Sequence, residues 1–241
     1  MSTLIPTSVV EYPSGDGQPT AETWLHVRAI MLLHQALEDF FYNRPDVFIA
    51  SDIFWYWEEG NPAARIAPDV MVVPGVQPRD PRKRRSFFSW EEYDAIPSLV
   101  FEMASRSTVN EDLGDKYWKY EELGVREYFL FDPEATHLVP VLQGFRLQGS
   151  SYRRLVQADD MLGSELGFRL RAEGTMLRLI NARTGQPIPT RAEAVTAERD
   201  RADMAQLNAA AERDRADVLQ AEVDRLKNLL RKHGEPDGGG T

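Results

Sequence analysis

The feature that most constrains the fold lies between residues 68 and 133, where two short apolar runs each carry one carboxylate. The runs read APDVMVV and SLVFEMAS, with Asp69 at the start of the first and Glu102 inside the second. A helical pattern that carries Lys116, NEDLGDKYWKYEELGV, then leads into a third apolar run, REYFLFDP. Short apolar runs joined through a helix indicate buried strands of a βαβ unit. The stretch therefore predicts an α/β fold with two acids and a lysine on neighbouring elements.

These three side chains suggest a metal-dependent hydrolase. A carboxylate inside the apolar run around Glu102 is costly unless it is paired or binds a metal. Two explanations are open at this point, a purely structural salt bridge from Lys116 to Glu102 and metal coordination. Mg²⁺ is usually held by one or two carboxylates together with phosphate oxygens, and it activates water for attack on a phosphodiester. The pattern predicts Asp69 and Glu102 as metal ligands, with Lys116 beside the attacking water.

Several segments, in the same order, resemble the Uma-two or restriction endonuclease domain family of the PD-(D/E)xK nuclease superfamily. They are PTAETWLH, APDVMVV, FEMASRST, DLGDKYWKY and ELGVREYFLFDP, within the range from Tyr12 to Ile188. The resemblance implies a restriction-endonuclease-like mixed central sheet flanked by helices. It also implies an endodeoxyribonuclease with DNA as substrate and Mg²⁺ as cofactor, Mn²⁺ being the alternative ion.

The match to the superfamily pattern departs at one position. Pro68-Asp69 supplies its first half, but the second half reads Glu102-Met103-Ala104, with alanine where a lysine is expected. The resemblance implies that Lys116, on the following helix, takes over the role of that lysine. Lys119, on the same helix, is the alternative residue for this role. Because the pattern is broken at Ala104, a protein that keeps the nuclease fold but no longer cleaves is a further alternative.

Further neighbours of the site are expected on the first helix and after the second acid-bearing strand. Glu22 and His26 lie four residues apart, on one face of a helix predicted over 21–42 and capped by Thr20. The resemblance implies an acid on this helix that faces the metal, although Glu22 also suits the helix dipole as a first-turn acid. Ser105 either caps the next helix, predicted over 110–123, or touches the site.

The charge distribution is unfavourable for general nucleic-acid binding. Residues 1–190 carry 19 basic and 27 acidic side chains, a net charge of −8, whereas affinity for phosphates comes mainly from lysine and arginine. One basic run lies between the two acid-bearing strands and is either a solvated loop or a phosphate track: Arg79, Arg82, Lys83, Arg84 and Arg85. Alternatives to a DNA nuclease are therefore a catalytically inactive nucleic-acid-binding or regulatory module, and an enzyme acting on RNA or a nucleotide.

The remaining sheet elements follow from alternating patterns. The run VFIASDIFWYW predicts a strand over 47–57, in which Asp52 is either a third acid near the metal or a residue at a bulge or edge. Extra antiparallel hairpins are predicted by HLVPVLQG, FRLQGSSYRRLVQ and LGFRLRAEGTMLRLI.

The C-terminal segment is repetitive and differs from the rest. AERDRAD occurs over 197–203 and again over 211–217, two heptads apart. Apolar residues recur every seven positions: Ala202, Ala209, Ala216, Val223 and Leu230. The pattern predicts a helix about 60 Å long that forms a coiled coil with a second copy, giving a homodimer, or with another protein. A mobile lone helix is the alternative for the alanine-rich half. A protein-interaction subunit is a further alternative function.

We expect four regions: an irregular lead-in over 1–20, a nuclease domain over 21–190, a helical or coiled-coil extension over 191–233, and a disordered tail over 234–241. The chain lacks cysteine, which fits a reducing compartment. No apolar run approaches the roughly 18 residues of a membrane span, and the N-terminus is a poor signal peptide. We therefore expect a cytoplasmic protein with no membrane partner.

Overall fold

The computed structural model describes residues 10–13, 23–80, 82 and 84–233, and the chain divides into two compact units, Met1–Ile188 and Pro189–Thr241. The helices and strands of the first unit are, in chain order, α1 (Trp24–Phe40), β1 (Val47–Ala50), β2 (Trp55–Tyr56), β3 (Arg65–Ile66), β4 (Val70–Pro74), β5 (Phe87–Phe88), β6 (Leu99–Met103), α2 (Val109–Asp112), α3 (Asp115–Glu122), β7 (Glu127–Phe131), β8 (Leu142–Gln148), β9 (Ser151–Arg154), β10 (Leu162–Gly163), β11 (Phe168–Glu173) and β12 (Met176–Asn181). The second unit contains α4 (Arg191–His233).

The main sheet is mixed, as the sequence predicts. Within the described residues it has six strands in the order β1-β4-β6-β7-β8-β9. Strands β6 and β7 are parallel, and α2 and α3 connect them, whereas the other neighbouring strands pair antiparallel. A parallel pair requires such a crossover connection, so the predicted βαβ unit lies at the centre of the sheet.

Both faces of this sheet are covered. On one face, α1 packs through Leu33 and Leu37 against the central strands and against Phe168 of the antiparallel sheet β10-β11-β12. On the other face, Tyr120 of α3 packs against Tyr128 of β7. Coverage on both sides explains why β4, β6 and β7 are near-continuous hydrophobic runs. The predicted extra hairpins are present as β8-β9 and β11-β12.

Helix α1 begins later than predicted. Its N-cap is Thr23, whose backbone is extended (φ −72°, ψ 152°) and whose hydroxyl accepts a hydrogen bond from the His26 backbone N–H at 3.3 Å. The predicted cap, Thr20, lies outside the described residues. Both threonines suit an N-cap, and the apolar spacing of the helix does not distinguish between them.

The strand predicted over 47–57 is two strands in different sheets. Strand β1 pairs with β4 in the central sheet, whereas β2 pairs with β3 and β5 in a separate three-stranded sheet. Between β1 and β2, Asp52 has a φ of 52°, a left-handed conformation that aspartate tolerates better than most residues. Asp52 therefore lies at a turn between sheets, and its backbone N–H donates to the Pro68 carbonyl oxygen at 3.1 Å, next to Asp69.

The helix predicted over 110–123 is also interrupted, at Gly114. Helix α2 ends at Asp112 and α3 begins at Asp115, while Gly114 has φ −118° and ψ −99°. A Cβ atom at Gly114 would lie 2.8 Å from the Asn110 carbonyl oxygen. Since real Cβ atoms essentially never approach an oxygen so closely, the break requires glycine.

Helix α4 is a single helix of 43 residues, and it confirms the predicted long C-terminal helix. Within the part of the chain that the structure describes, neither α4 nor any other helix combines the length and the apolar character that crossing a membrane requires.

The Gly114 break yields a stability prediction. Gly114→Ala should lower the free energy of unfolding by about 1–3 kcal/mol, because the added methyl group collides with backbone. Gly163→Ala is the matched control, since a Cβ there meets nothing within 4 Å, and it should change stability by less than about 0.5 kcal/mol. Urea denaturation measures both variants. Equal stabilities would contradict the requirement for glycine at the break.

Candidate active site

The pairing of β4 with β6 places the two predicted acids side by side. Val70 is the partner of Phe101 in this antiparallel ladder, so Asp69, one residue earlier, lies opposite Glu102, one residue later. Directly opposed residues project to the same face of a sheet. Asp69 is further fixed because its Oδ2 accepts a hydrogen bond of 2.6 Å from the Met103 backbone N–H. The structure therefore brings the two carboxylates together at one end of the strands.

Lys116 and Tyr120 hold the Glu102 carboxylate. The Glu102 side chain is only 1% exposed, and Lys116 Nζ lies 3.0 Å from its Oε2. The Tyr120 hydroxyl donates to the other oxygen, Oε1, at 2.6 Å. Bonds to an ionised partner are the short and strong ones, and both oxygens of this buried group have a donor. Lys116 thus forms the salt bridge to Glu102 that the sequence analysis left open as the structural alternative, and this contact is equally compatible with a role in the site.

A second buried acid, Asp112, binds the same lysine. Its Oδ1 lies 3.0 Å from Lys116 Nζ, and its side chain is 1% exposed. Neither Asp112 nor Tyr120 is among the site residues predicted from the sequence. The available signal was spacing, because Asp112, Lys116 and Tyr120 are four residues apart in succession and so lie on one face of a helix.

The cluster carries more acid than base. Burial raises the pKa of Glu102 well above its ordinary value, the Asp69 and Asp112 carboxylates raise it further, and Lys116 opposes them. Burial likewise raises the pKa of Asp112. Burial alone would lower the pKa of Lys116, but Glu102, Asp112 and Asp69 together raise it above its ordinary value. Lys116 therefore stays protonated at neutral pH, with three carboxyl groups around one ammonium.

The donor set fits a hard divalent cation. Within the described ranges, no group of three or more histidine, cysteine, aspartate and glutamate side chains could hold a metal ion. Mg²⁺ needs only one or two protein carboxylates, because water and substrate phosphate complete its shell. Each carboxylate has about four lone-pair sites, so Asp69 and Glu102 retain acceptor capacity beyond the bonds already described. The site has more carboxylates than cationic side chains, and its donors are oxygen atoms. Both properties suit Mg²⁺ or Mn²⁺.

The neighbours predicted on the first helix are only partly within the described residues. His26 is buried, and its Nε2 lies 3.6 Å from Asp69 Oδ2, so the structure brings His26 to the acid pair. Glu22 lies outside the described residues.

Ala104 accounts for the displaced lysine position. Its side chain is 1% exposed and belongs to the hydrophobic core beside α3. A long charged side chain has no place there, and Lys116 instead reaches Glu102 from the helix.

The other two predicted neighbours make local contacts. Lys119 Nζ lies 2.6 Å from Glu122 Oε2 and 5.9 Å from the centre of the Trp57 ring, so Lys116 and not Lys119 pairs with Glu102. The Ser105 hydroxyl lies 3.0 Å from the Thr108 hydroxyl and also accepts from the Thr108 backbone N–H. These bonds close the turn between β6 and α2, whose N-cap, Thr108, makes no side-chain capping bond.

The basic run is largely paired with acids. Arg84 is nearly buried, 2.6 Å from the buried Glu92, and lies over the Phe48 ring. Arg79 pairs with Glu92 as well, at 3.0 Å, and Arg82 pairs with Asp80 at 2.9 Å. Arg84 is thus not an exposed phosphate ligand, contrary to the phosphate-track interpretation. Arg85 is exposed, and Lys83 lies outside the described residues.

The bond from Tyr120 to Glu102 gives a testable prediction. Tyr120→Phe should lower the free energy of unfolding by about 1–3 kcal/mol, because it leaves a buried carboxyl oxygen with one donor fewer. Tyr42→Phe makes the same change on an exposed ring and should cost less than about 0.5 kcal/mol. Urea denaturation at fixed pH compares the two. A Tyr120→Phe protein as stable as Tyr42→Phe would show that this hydroxyl does not support Glu102.

Comparison with known proteins identifies the family. A family model named Uma2 and described as "Putative restriction endonuclease" matches residues 6–176. Among curated proteins, none matches the chain significantly. A crystal structure from Anabaena variabilis, described as a "putative nuclease belonging to DUF820", is similar over 67% of this chain and 80% of that one, with 13% identity and a TM-score of 0.44. On the match of the family model, which covers most of the chain, the protein belongs to the Uma2 family.

Proposed function

We propose that this protein is a Mg²⁺-dependent endonuclease that hydrolyses DNA phosphodiester bonds, and that residues 21–190 form its nuclease domain. The observation that carries the proposal is the cluster in which Lys116 Nζ lies 3.0 Å from Glu102 Oε2 while Asp69 stands opposite Glu102 in the ladder. Family membership supports a nuclease. That the substrate is DNA, that the metal is Mg²⁺ and that Asp69, Glu102 and Lys116 carry the reaction is what we propose beyond family membership.

In this proposal Asp69 and Glu102 hold Mg²⁺, with Mn²⁺ as the alternative ion. When bound, the ion would polarise a phosphoryl oxygen and lower the pKa of a water. The chain supplies the orientation. The Met103 N–H fixes Asp69, the Tyr120 hydroxyl fixes Glu102, and the alignment of both carboxylates therefore precedes substrate binding. Preorganised groups contribute most to catalysis because they need not rearrange during the reaction.

Lys116 is proposed to act on the water and the phosphate. Its side chain is 13% exposed, in contrast to the 1% of Glu102, so Lys116 is the more accessible partner of the pair. A charged ammonium there would orient the attacking water and offset negative charge that develops on the phosphoryl oxygens. Asp112 does not need to touch substrate for this role, since it holds Lys116 from behind at 3.0 Å.

A binding module without cleavage is the second candidate function. Residues 1–190 carry a net charge of −8, and Arg79, Arg82 and Arg84 are paired with acids. A fold with these properties gains little from non-specific phosphate contacts. Under this alternative the pair formed by Lys116 and Glu102 is structural. RNA or a nucleotide as substrate is the corresponding variant of the enzyme hypothesis.

We also propose a cytoplasmic location. The chain has no cysteine, in keeping with a reducing compartment.

A cleavage assay tests the proposed function. With Mg²⁺ or Mn²⁺ and matched DNA and RNA substrates, Asp69→Asn, Glu102→Gln and Lys116→Gln should each lower the cleavage rate at least about a hundredfold, as loss of a group that stabilises the transition state does. Asp39→Asn, an exposed acid on α1, should leave the rate unchanged.

Circular dichroism separates loss of activity from loss of structure. Asp69 is 15% exposed, so Asp69→Asn is the variant that keeps the test valid if the buried positions do not tolerate substitution. Rates that are the same for the wild type, Asp69→Asn and Glu102→Gln would refute the enzyme hypothesis. Binding of DNA without metal-dependent cleavage would favour the binding module.

A further inference from the structure

Helix α4 carries a line of exposed apolar side chains near its C-terminal end. Leu219, Val223, Leu226 and Leu230 are all exposed, Leu219 by 67% and Leu230 by 73%. Ala216, Val223 and Leu230 recur every seven residues, and Leu219 and Leu226 each follow three residues after the first two of them. These positions correspond to a and d of a heptad repeat, the residues that meet at the seam of a coiled coil.

We infer that a second copy of this chain docks on this face, parallel and in register, to form a two-stranded coiled coil over residues 216–230. The residue types favour two strands, because within parallel coiled coils a β-branched residue at a, here Val223, with leucine at d favours dimers over trimers and tetramers. The inference concerns assembly and does not rest on the proposed nuclease activity.

The charges beside the seam favour the parallel orientation. Glu222 occupies position g and Lys227 position e of the following heptad. In a parallel, in-register pair, g of one helix faces e of the next heptad on the other. Glu222 then faces Lys227 of the second copy, and symmetry produces this attraction twice. An antiparallel pair centred on the same seam sets Lys227 against Gln220 or Arg213 and loses both attractions.

Toward the N-terminus of α4, charged residues and alanine replace leucine at the d positions of the seam. Counting back from Leu219 by sevens, the d positions are Glu212, Ala205 and Glu198. Glutamate at d places like charges together in a parallel pair, and alanine at d and a buries little area. The proposed contact is therefore confined to about two heptads, and we expect a reversible dimer. Both copies of α4 begin at Arg191, so the two first units attach at the same end of the pair.

The absence of cysteine allows a direct test of orientation. In a parallel, in-register pair the two Leu226→Cys thiols face each other across the seam, at a separation that a disulfide can span. Ala221 lies at position f, on the outer side of the helix, so Ala221→Cys is the matched control. Under mild oxidation the full-length Leu226→Cys protein should give at least about tenfold more disulfide-linked dimer than Ala221→Cys, because only the inner thiols meet that geometry.

A charge exchange provides a second readout. Glu222→Lys should weaken dimerisation in sedimentation experiments by about three- to tenfold, since it replaces two attractions by two repulsions. Combining it with Lys227→Glu should restore the dimer.

Three results would overturn the inference: a wild-type protein that stays monomeric at high concentration, equal cross-linking of Leu226→Cys and Ala221→Cys, or cross-linking of Leu219→Cys to Val223→Cys in place of Leu226→Cys to itself. The last of these would indicate an antiparallel pair.

Discussion

The structure of the candidate site depends on the buried carboxylate of Glu102. Glu102 lies on β6, an inner strand of the central sheet, and 1% of its side chain is exposed. An uncompensated charge at such a position would be prohibitively costly. Lys116 and Tyr120 compensate it from α3, one at each oxygen. Removal of one partner from a buried pair costs far more than a surface salt bridge contributes. Strand β6 and helix α3 are thus locked together by polar contacts as well as by packing.

The partners of Glu102 come from an interrupted helix. Lys116 and Tyr120 both reach Glu102 from α3, which begins just after the break at Gly114. Asp112, at the end of α2, then meets Lys116 from the other side of the break. Lys116 and Tyr120 therefore contact the one buried acid, and Asp112 forms an ion pair with the lysine. A continuous helix would also align these residues, so their spacing does not by itself require the break. The broken backbone at Gly114, in turn, leaves no space for a Cβ.

Much of the fold was accessible from the sequence because its signals are local. The apolar runs around Asp69, Glu102 and Tyr128, the crossover between them and the heptads of α4 all follow from periodicity, and the structure confirms the mixed sheet and the long helix. The breaks were not accessible in the same way. The run around Asp52 has the composition of a continuous strand, and the run around Gly114 has that of a continuous helix. In the structure, each is interrupted by a change of backbone conformation at that residue.

The polar contacts of the site were only partly predictable. The salt bridge from Lys116 to Glu102 follows from the rule that a buried acid needs a partner, whereas the role of Tyr120 was hidden because tyrosine also suits an apolar stripe. Asp112 resembled any acid in a first turn, and its burial became evident only with the break in the helix. The basic run had two possible interpretations, a solvated loop and a phosphate track. The sequence did not distinguish them because two of the acids that pair with the run, Glu91 and Glu92, lie in a separate turn.

The central claim is that Asp69 and Glu102 together bind one divalent ion. Anomalous diffraction from crystals grown with Mn²⁺ measures this most directly. The account predicts a single strong peak between the two side chains, at about 2.0–2.3 Å from one oxygen of each, the range of hard divalent ions with oxygen ligands. Full occupancy of Mn²⁺ elsewhere on the protein, with no peak between Asp69 and Glu102, would contradict the account.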